Sequence, residues 1–265
     1  MKQSSGKKPK LGQHFLVDSK YKKIIIDYIH DIGLKNIIEI GPGSGSITPD
    51  LIRYSDEFIG IELDKKLYIN LINKYQDNKV RFFNIDAGLF EIDNQGIFFD
   101  YPYLLVGNLP YYSANMIVRN FITSAKKPKY LIVMLQKEVA DNYLSEIPKM
   151  KFIGHSIQMY SKVKKITDVP KEAFDPKPKV ISSIILLETK KENEIIDEPE
   201  TLLSFIKKGY AAPRKTLVNS LSMSLKHEKE ILKNRLIEIN IDPDLRPGNL
   251  DIEDWQKIFN TMNEL

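Results

Sequence analysis

The chain has 265 residues, 42% of them apolar and 28% charged, with a net charge of +4 at neutral pH. This composition is ordinary for a folded globular protein, and no uninterrupted apolar run approaches the ~20 residues that a membrane-spanning helix needs. The absence of cysteine excludes disulfides, thiolate metal clusters and a cysteine nucleophile, including covalent attack on a pyrimidine ring. The four histidines have no metal-ligand spacing, so we expect no metal site.

The first seventeen residues are basic, since they contain Lys2, Lys7, Lys8 and Lys10 and the first acidic residue is Asp18. They lack the apolar centre of a secretory signal, so we expect a cytoplasmic protein. Two interpretations of this stretch remain open. It is either a solvated tail or a basic arm that contacts the phosphates of a nucleic acid.

Short β-rich runs alternate with helical patterns between about residues 35 and 135. The predicted strands are Asn36–Ile40, 57–62, 80–85, 103–107 and 130–135. The first helix is expected to have Thr48 as its N-cap and Pro49 at its first position. Further helices are predicted through 67–75, at 113–124 and at 137–145. Strands that alternate with helices indicate βαβ units and a parallel sheet, which is an α/β fold.

The pattern changes in the second half of the chain. Strands are predicted near 156–165 and 180–188, and a charged connector follows over 188–200. Beyond the connector the periodicity is helical, at 202–208, 216–225, 230–239 and 252–262. We therefore expect an α/β domain with a basic N-terminal arm over 1–190 and a small all-helical domain over 198–265.

A glycine-rich turn follows the first strand of the predicted sheet. Gly41, Gly43 and Gly45 alternate with other residues, and the acidic Glu39 precedes them. Alternate glycines allow the backbone to turn sharply and approach a ligand closely, although a tight connecting loop would use them as well. A nicotinamide cofactor favours G-x-G-x-x-G, whereas the spacing here is G-x-G-x-G. This variant resembles the S-adenosylmethionine loop of class I methyltransferases.

Acidic residues end the next two predicted strands. Glu62 follows Gly41 by 21 residues, where a carboxylate can accept both hydroxyls of a ribose. Asp86 ends the third strand, where its carboxylate can accept an exocyclic amine of a bound adenine. Together with the glycine turn they predict a nucleoside-binding site for a methyl donor.

The turn Asn108-Leu109-Pro110-Tyr111 follows the fourth predicted strand. The Asn108 side-chain oxygen and the Pro110 carbonyl can accept the two N–H bonds of an adenine amine, and Tyr111 can stack on a base removed from its helix. A strand-end turn with a packed tyrosine is the alternative. Phe174 lies in a proline-rich loop over 169–180, which either holds this ring against the opposite face of the base or is simply a rigid connection.

These motifs together resemble the KsgA family of ribosomal RNA adenine dimethyltransferases over nearly the whole chain. The matching segments are Leu11 to Leu16, Glu39 to Thr48, Glu62, Asp86, Asn108 to Tyr111, Leu135 to Ala140, Phe174 to Val180, Arg214 to Thr216 and Ile241 to Pro247. The resemblance implies a Rossmann-like class I methyltransferase sheet with a small helical C-terminal domain. Three positions depart from the family pattern: His14 replaces an Asn, Tyr112-Ser113-Ala114 replaces Asn-Ile-Ser, and Pro213 replaces a basic residue.

The resemblance also implies a reaction and a set of site residues. Two adjacent adenines in the 3′-terminal hairpin loop of small-subunit rRNA become N6,N6-dimethyladenine, with S-adenosylmethionine as methyl donor, during 30S assembly. Catalysis is assigned to Asn108, Pro110, Tyr111 and Phe174. Donor binding is assigned to Gln13, His14, Leu16, Gly41, Gly43, Glu62, Asp86, Ala87 and Asn108. RNA binding is assigned to Lys8, Lys10, Arg214 and Lys215. The expected partner is rRNA in a pre-30S particle, and the expected state is a monomer.

Two other functions remain in competition. The erythromycin-resistance family methylates a large-subunit rRNA adenine on the same core, but the segments around Arg214 and 241–247 favour the small-subunit enzyme. A non-catalytic ribosome-assembly factor on the same fold is the second alternative. The intact donor loop and the intact Asn108–Tyr111 turn argue against it.

Overall fold

The structure, a computed structural model, describes residues 14–89, 99, 102–110 and 112–263. These residues divide into two compact units. The first contains the described residues up to Ala140 together with Lys164–Thr189, and the second contains Asp141–Val163 and the residues from Lys190 onward. The sequence pattern assigned Asp141–Val163 to the α/β domain, whereas the structure groups this segment with the second unit.

A single mixed sheet is the centre of the α/β architecture. The strands in the described part of the chain are β1 (Phe15–Leu16), β2 (Asn36–Ile40), β3 (Glu57–Ile61), β4 (Val80–Phe83), β5 (Leu104–Asn108), β6 (Tyr130–Gln136), β7 (Ser161–Val169), β8 (Phe174–Asp175) and β9 (Ser182–Thr189). Among them, seven form one sheet in the order β4-β3-β2-β5-β6-β9-β7. Strands β2 to β6 pair in parallel, and β9 pairs antiparallel to β6.

The register places apolar residues of neighbouring strands beside one another. Ile38 of β2 lies opposite Ile59 of β3 and Leu105 of β5, and all three side chains are buried. Central parallel strands are covered on both faces, so they are apolar along their whole length. This explains why the sequence shows continuous apolar runs here and not an alternating pattern.

Helices of the sheet region are α1 (Ser19–Ile32), α2 (Thr48–Tyr54), α3 (Lys65–Lys74), α4 (Ala114–Thr123) and α5 (Lys137–Tyr143). The prediction that Thr48 is the N-cap of α2 is wrong, since Ile47 occupies that position and Thr48 is the first helical residue. The hydroxyl of Thr48 donates instead to a buried carboxyl of β2, and Pro49 lies in the first turn as expected. Asp64 caps α3 by accepting the backbone N–H groups of Lys66 and Leu67.

The second unit is helical. It contains α6 (Phe152–Gln158), α7 (Pro199–Gly209), α8 (Leu217–Leu225), α9 (Lys229–Glu238) and α10 (Ile252–Met262). Trp255 of α10 is fully buried, and its ring packs so closely on Gly209 of α7 that a Cβ at this position would overlap it. The Tyr210 hydroxyl lies 3.0 Å from the carbonyl oxygen of Met150, which joins the segment before α6 to this core.

The strand predicted over 156–165 is only partly correct. Residues up to Gln158 are the end of α6, and the strand begins at Ser161. A short apolar run reads the same for a buried helix as for a buried strand, and Gly154 to Ile157 are all buried. None of the helices in the described residues is long and apolar enough to cross a membrane.

Candidate active site

A cleft opens in the first unit at the carboxyl ends of β2, β3 and β5. The strand order reverses between β2 and β5, and the cleft lies at this topological switch point, which is the usual ligand site of an open α/β sheet. Its walls are His14, Phe15, Ile40, Gly41, Gly43, Ile61, Glu62, Leu63, Ile85, Asp86, Ala87, Asn108, Leu109, Pro110, Tyr112, Ser113 and Ile117. The structure therefore brings together most of the residues that the sequence assigned to donor and acceptor.

The glycine turn is held in a conformation that other residues rarely adopt. Gly41, Gly43 and Gly45 have φ angles of 68°, 61° and 83°. A Cβ on Gly43 would lie 2.7 Å from Phe15 Cε1, so this ring packs directly on the turn. The Gly43 N–H donates to Glu62 Oε2 over 2.9 Å. The missing side chains therefore let the turn approach both a ring and a buried carboxylate.

Glu62 is buried at the carboxyl end of β3. Its Oε2 accepts the Gly43 N–H and its Oε1 accepts the Asp64 N–H, each over 2.9 Å. Burial raises the pKa of this carboxyl, while the backbone N–H groups of Asp64, Gly43 and Leu63 act to lower it. A carboxylate offers about four acceptor positions, more than these backbone donors fill. Glu62 lines the cleft, so it keeps acceptor capacity for a hydroxyl group of a bound ligand.

A second carboxyl, that of Glu39, lies beneath the turn. Thr48 Oγ1 donates to Glu39 Oε2 over 2.7 Å, and both residues are buried. The pKa of Glu39 is raised from 4.5 to about 8, chiefly because the carboxyl is buried; the hydrogen bond from Thr48 opposes this shift and the neighbouring charge of Glu62 adds to it. Glu39 is therefore protonated at neutral pH, so the two neighbouring carboxyls do not both carry a charge.

Asp86 and Ala87 form the wall of the cleft after β4. Asp86 Oδ1 accepts the Gly88 N–H over 2.8 Å, and the Gly88 carbonyl accepts the side-chain amide of Asn120 on α4 over 2.7 Å. Ala87 is buried. The loop is thus tied to α4, and it presents a carboxylate beside the apolar side chains of Ile85 and Ile117.

Asn108 is the last residue of β5, and its side chain is oriented by the N-terminal segment. Its Nδ2 donates to the His14 carbonyl oxygen over 2.7 Å. The His14 ring in turn hydrogen-bonds through Nδ1 to the Pro176 carbonyl oxygen over 2.7 Å. Because the amide nitrogen of Asn108 is engaged, its Oδ1 remains as the acceptor that this side chain offers to the cleft.

Pro110 does not supply the acceptor that we expected from the sequence. Its carbonyl oxygen already accepts the N–H groups of Ser113 and Ala114, over 3.1 and 3.0 Å, at the start of α4. These two donors occupy both lone pairs of a carbonyl oxygen. The Leu109 carbonyl accepts no hydrogen bond from the described residues, and the Leu109 N–H is held by the Met134 carbonyl over 3.1 Å.

Phe174 and Leu16 are core residues in this structure and do not line the cleft. Leu16 of β1 lies opposite Phe174 of β8, and both are buried, at 5% and 3% exposure. They belong to one apolar cluster with Ile25 and Met134. Stacking of Phe174 on a substrate base is therefore not supported, because its ring is already enclosed by apolar neighbours.

Comparison with known proteins identifies the chain's relatives. A family model described as "Ribosomal RNA adenine dimethylase" matches residues 4–264. The chain belongs to the ribosomal RNA adenine dimethylase family. The resemblance read from its motifs is thus confirmed, and so are the class I methyltransferase fold, the rRNA adenine methyltransferase activity and S-adenosylmethionine as methyl donor.

Curated relatives share about a third of their residues with this family member. "Ribosomal RNA small subunit methyltransferase A" of Dehalococcoides mccartyi (strain CBDB1) is 32% identical, over 94% of this chain and 86% of the relative. The protein of the same name from Bacillus cytotoxicus is 34% identical, over 96% of this chain and 91% of the relative.

Two solved structures share the fold. A dimethyladenosine transferase from Plasmodium falciparum has a TM-score of 0.78 at 21% identity, over 95% of this chain and 98% of that one. The 23S rRNA methyltransferase ErmE has a TM-score of 0.71 at 20% identity, over 94% and 99%. At such identities these likenesses show the fold alone.

Some residues assigned from the sequence lie outside the cleft or outside the described residues. Gln13, Lys8, Lys10 and Tyr111 are not among the residues that the structure describes. Arg214 and Lys215 are exposed in the second unit, in the connection between α7 and α8. Their assignment to RNA binding stays a prediction.

Sequence reasoning missed several residues of the cleft. Phe15 packs against Gly43, while Leu63, Tyr112 and Ser113 add to its walls. Leu63 and Tyr112 directly follow the predicted site residues Glu62 and Tyr111, so position next to a motif was the one available signal. Phe15 gave a different signal, since it lies within the motif that contains His14.

Proposed function

We propose that this chain dimethylates the N6 amines of two adjacent adenines in the 3′-terminal hairpin loop of small-subunit rRNA, within a pre-30S particle. The observation that carries this proposal is the orientation of Asn108, whose amide nitrogen bonds to His14 and whose oxygen is left to accept an amine hydrogen. The names of the curated relatives support the small subunit as the source of substrate. We further propose that the enzyme acts as a cytoplasmic monomer.

The residues that line the cleft suit S-adenosylmethionine in their chemistry. Glu62 would accept both ribose hydroxyls, Asp86 would accept the adenine amine, and Ile85 and Ile117 would cover the ring. The glycine turn leaves room for the methionine end next to Phe15. When bound, this donor supplies a methyl group on a positively charged sulfur. Because Glu39 and Glu62 do not both carry a charge, their surroundings suit a ligand that carries one such positive charge.

The residues of this chain contribute positioning and hydrogen-bond acceptors to the reaction. An adenine amine is a poor nucleophile because its lone pair is delocalised into the ring. We propose that Asn108 Oδ1 and the Leu109 carbonyl accept its two N–H bonds and so direct the lone pair towards the methyl group. Pro110 then serves to shape the turn. Alignment of this kind contributes roughly 7–11 kcal/mol in favourable systems.

No base is required before the nitrogen attacks. The N–C bond forms as the S–C bond breaks, and the amine becomes acidic only once it is alkylated, after which it loses a proton to solvent. A monomethylated amine keeps one N–H. During the second transfer, one of the two acceptors must therefore release its partner while the site accommodates the first methyl group.

Large-subunit rRNA is the competing substrate, because ErmE shares the fold. We expect immature 30S particles to accept radioactive methyl groups from labelled S-adenosylmethionine, and large-subunit rRNA to accept none. Mass analysis of the labelled product should place two methyl groups on each of two adjacent adenines. Label on large-subunit rRNA alone would overturn the substrate assignment.

A non-catalytic role makes a different prediction for the Asn108→Ala variant. We expect this variant to lose methyl transfer by at least 100-fold, since loss of one preorganised acceptor in an active site has costs of about 10²–10³ in rate. Binding of the donor and of the particle should change little. Asn73→Ala is the matched control, because Asn73 is exposed on α3 and does not line the cleft. Unchanged turnover in Asn108→Ala would refute the catalytic assignment.

A further inference from the structure

Three exposed apolar side chains lie together at the edge of the cleft. Leu89, Tyr112 and Met116 have 75%, 67% and 43% of their surface exposed. Gly88 connects them, because a Cβ at this position would lie 2.7 Å from Met116 Cε and 3.7 Å from Ser113 Cβ. Leu89 follows Gly88 in the chain, and Tyr112 precedes Ser113. We call Leu89, Tyr112 and Met116 the rim cluster.

The backbone beneath the rim cluster is held by hydrogen bonds. The Leu89 N–H donates to the Asp86 carbonyl over 3.1 Å, and Asn120 Nδ2 donates to the Gly88 carbonyl over 2.7 Å. The Ser113 N–H donates to the Pro110 carbonyl over 3.1 Å. The side chains of the cluster are thus exposed on a backbone that is already ordered, and little backbone conformational entropy remains to be lost when they bind a flat group.

The position of the cluster indicates what it binds. Tyr112 lines the same cleft as Asn108 and Leu109, and most of its side chain is exposed, so its ring is available to a nucleotide joined to the base in the acceptor site. Single exposed apolar residues are common on protein surfaces, but adjacent ones beside a ligand cleft indicate a binding surface. Single-stranded nucleic acids bind to such surfaces through stacking on aromatic rings.

We propose that the rim cluster binds the nucleotide next to the target adenine, with its base stacked on the Tyr112 ring and covered at the edge by Leu89 and Met116. This inference rests on the proposed function, because it needs an adenine in the acceptor site. When that adenine leaves the stack of its loop, the adjacent base loses a stacking partner. Tyr112 replaces this partner, so the cluster selects a single-stranded loop whose neighbouring base is also free to move.

The direct test measures stacking by fluorescence. A hairpin RNA carries 2-aminopurine in place of the adenine adjacent to the target, and its emission is recorded with saturating enzyme. We expect quenching with the unmodified enzyme and with Tyr112→Phe, which keeps the ring. Quenching should be lost with Tyr112→Ala. Equal quenching with Tyr112→Ala, or none with the unmodified enzyme bound to the RNA, would overturn the inference whatever the methylation activity.

Kinetics provide the second test. Tyr112→Ala should raise the KM for the RNA substrate roughly 5- to 150-fold, the range expected for loss of one stacked base, with a smaller change in kcat. Tyr112→Phe should restore the KM. The control is Ile69→Ala, which removes an exposed apolar side chain from α3, away from the cleft. An unchanged KM in Tyr112→Ala, alongside normal turnover of small-subunit rRNA, would refute the rim cluster alone. No turnover by the unmodified enzyme would instead refute the proposed function.

Discussion

Replacement of Glu39 by Gln should remove a pH dependence of stability from the catalytic unit. The pKa of Glu39 is raised from 4.5 to about 8, so the folded protein keeps a proton that the unfolded chain has released. Between these two values unfolding releases a proton, and the free energy of unfolding falls as the pH rises. The glutamine side chain of the Glu39→Gln variant cannot titrate, and it retains an oxygen that can accept the Thr48 hydroxyl.

The magnitude follows from the size of the shift. Each pKa unit corresponds to about 1.4 kcal/mol, so the full interval from 4.5 to about 8 is worth about 5 kcal/mol. His155 also changes its pKa on folding, from 6.5 to about 4. Above pH 6.5 this histidine is mainly neutral in both the folded and the unfolded protein, so a measurement above pH 6.5 separates the effect of Glu39 from that of His155. Between pH 6.5 and pH 8, we expect the free energy of unfolding to fall by about 2 kcal/mol more in the unmodified protein than in Glu39→Gln.

Urea unfolding followed by far-ultraviolet circular dichroism, without methyl donor, measures this difference. Glu57→Gln serves as the control, because it makes the same substitution at an exposed side chain of the next strand. Glu62 remains in both proteins, so its own raised pKa does not enter the comparison. Parallel pH profiles for the unmodified protein and Glu39→Gln would refute the reasoning that Glu39 is protonated beneath the glycine turn.

Two further predictions concern a backbone and a buried ring. Gly43→Ala should lose roughly 1–2 kcal/mol of stability because of its left-handed conformation, and at least ten-fold in donor affinity because the new Cβ overlaps Phe15. Gly33→Ala is the control, since it has the same backbone strain but no neighbour within 4 Å. Equal donor binding in both variants, measured by calorimetry, would contradict the expected effect of Phe15. His155 is held neutral by burial, so the second unit should lose about 3 kcal/mol as the pH falls from 6.5 to 4. Fluorescence of Trp255, the sole tryptophan, whose ring contacts His155, measures this loss of stability. The loss should be absent in His155→Phe. If it persists in that variant, another group causes it.

Local sequence signals were reliable where the chemistry is carried by adjacent residues. The glycine turn, Glu62, Asp86 and Asn108 each lie at or shortly after the end of a parallel strand, and the carboxyl ends of such strands meet at one edge of the sheet. Strand ends were therefore enough to predict that these residues share a cleft. Features that depend on tertiary packing were harder to predict from the sequence. The segment 152–158 has only seven residues, which is too short for its pattern to distinguish a buried helix from a buried strand.

The amino-acid sequence alone determined the family, the parallel sheet and the presence of a donor turn and an acceptor turn in one protein. It could do so because the sequence shows which motif follows which strand. Only the tertiary structure decided how those groups are used. In the folded chain the Pro110 carbonyl accepts hydrogen bonds from the start of α4, Phe174 lies in the core, and the Asn108 amide donates to the His14 carbonyl. Hydrogen-bond partners and burial depend on segments far apart in the chain, so no local pattern specifies them.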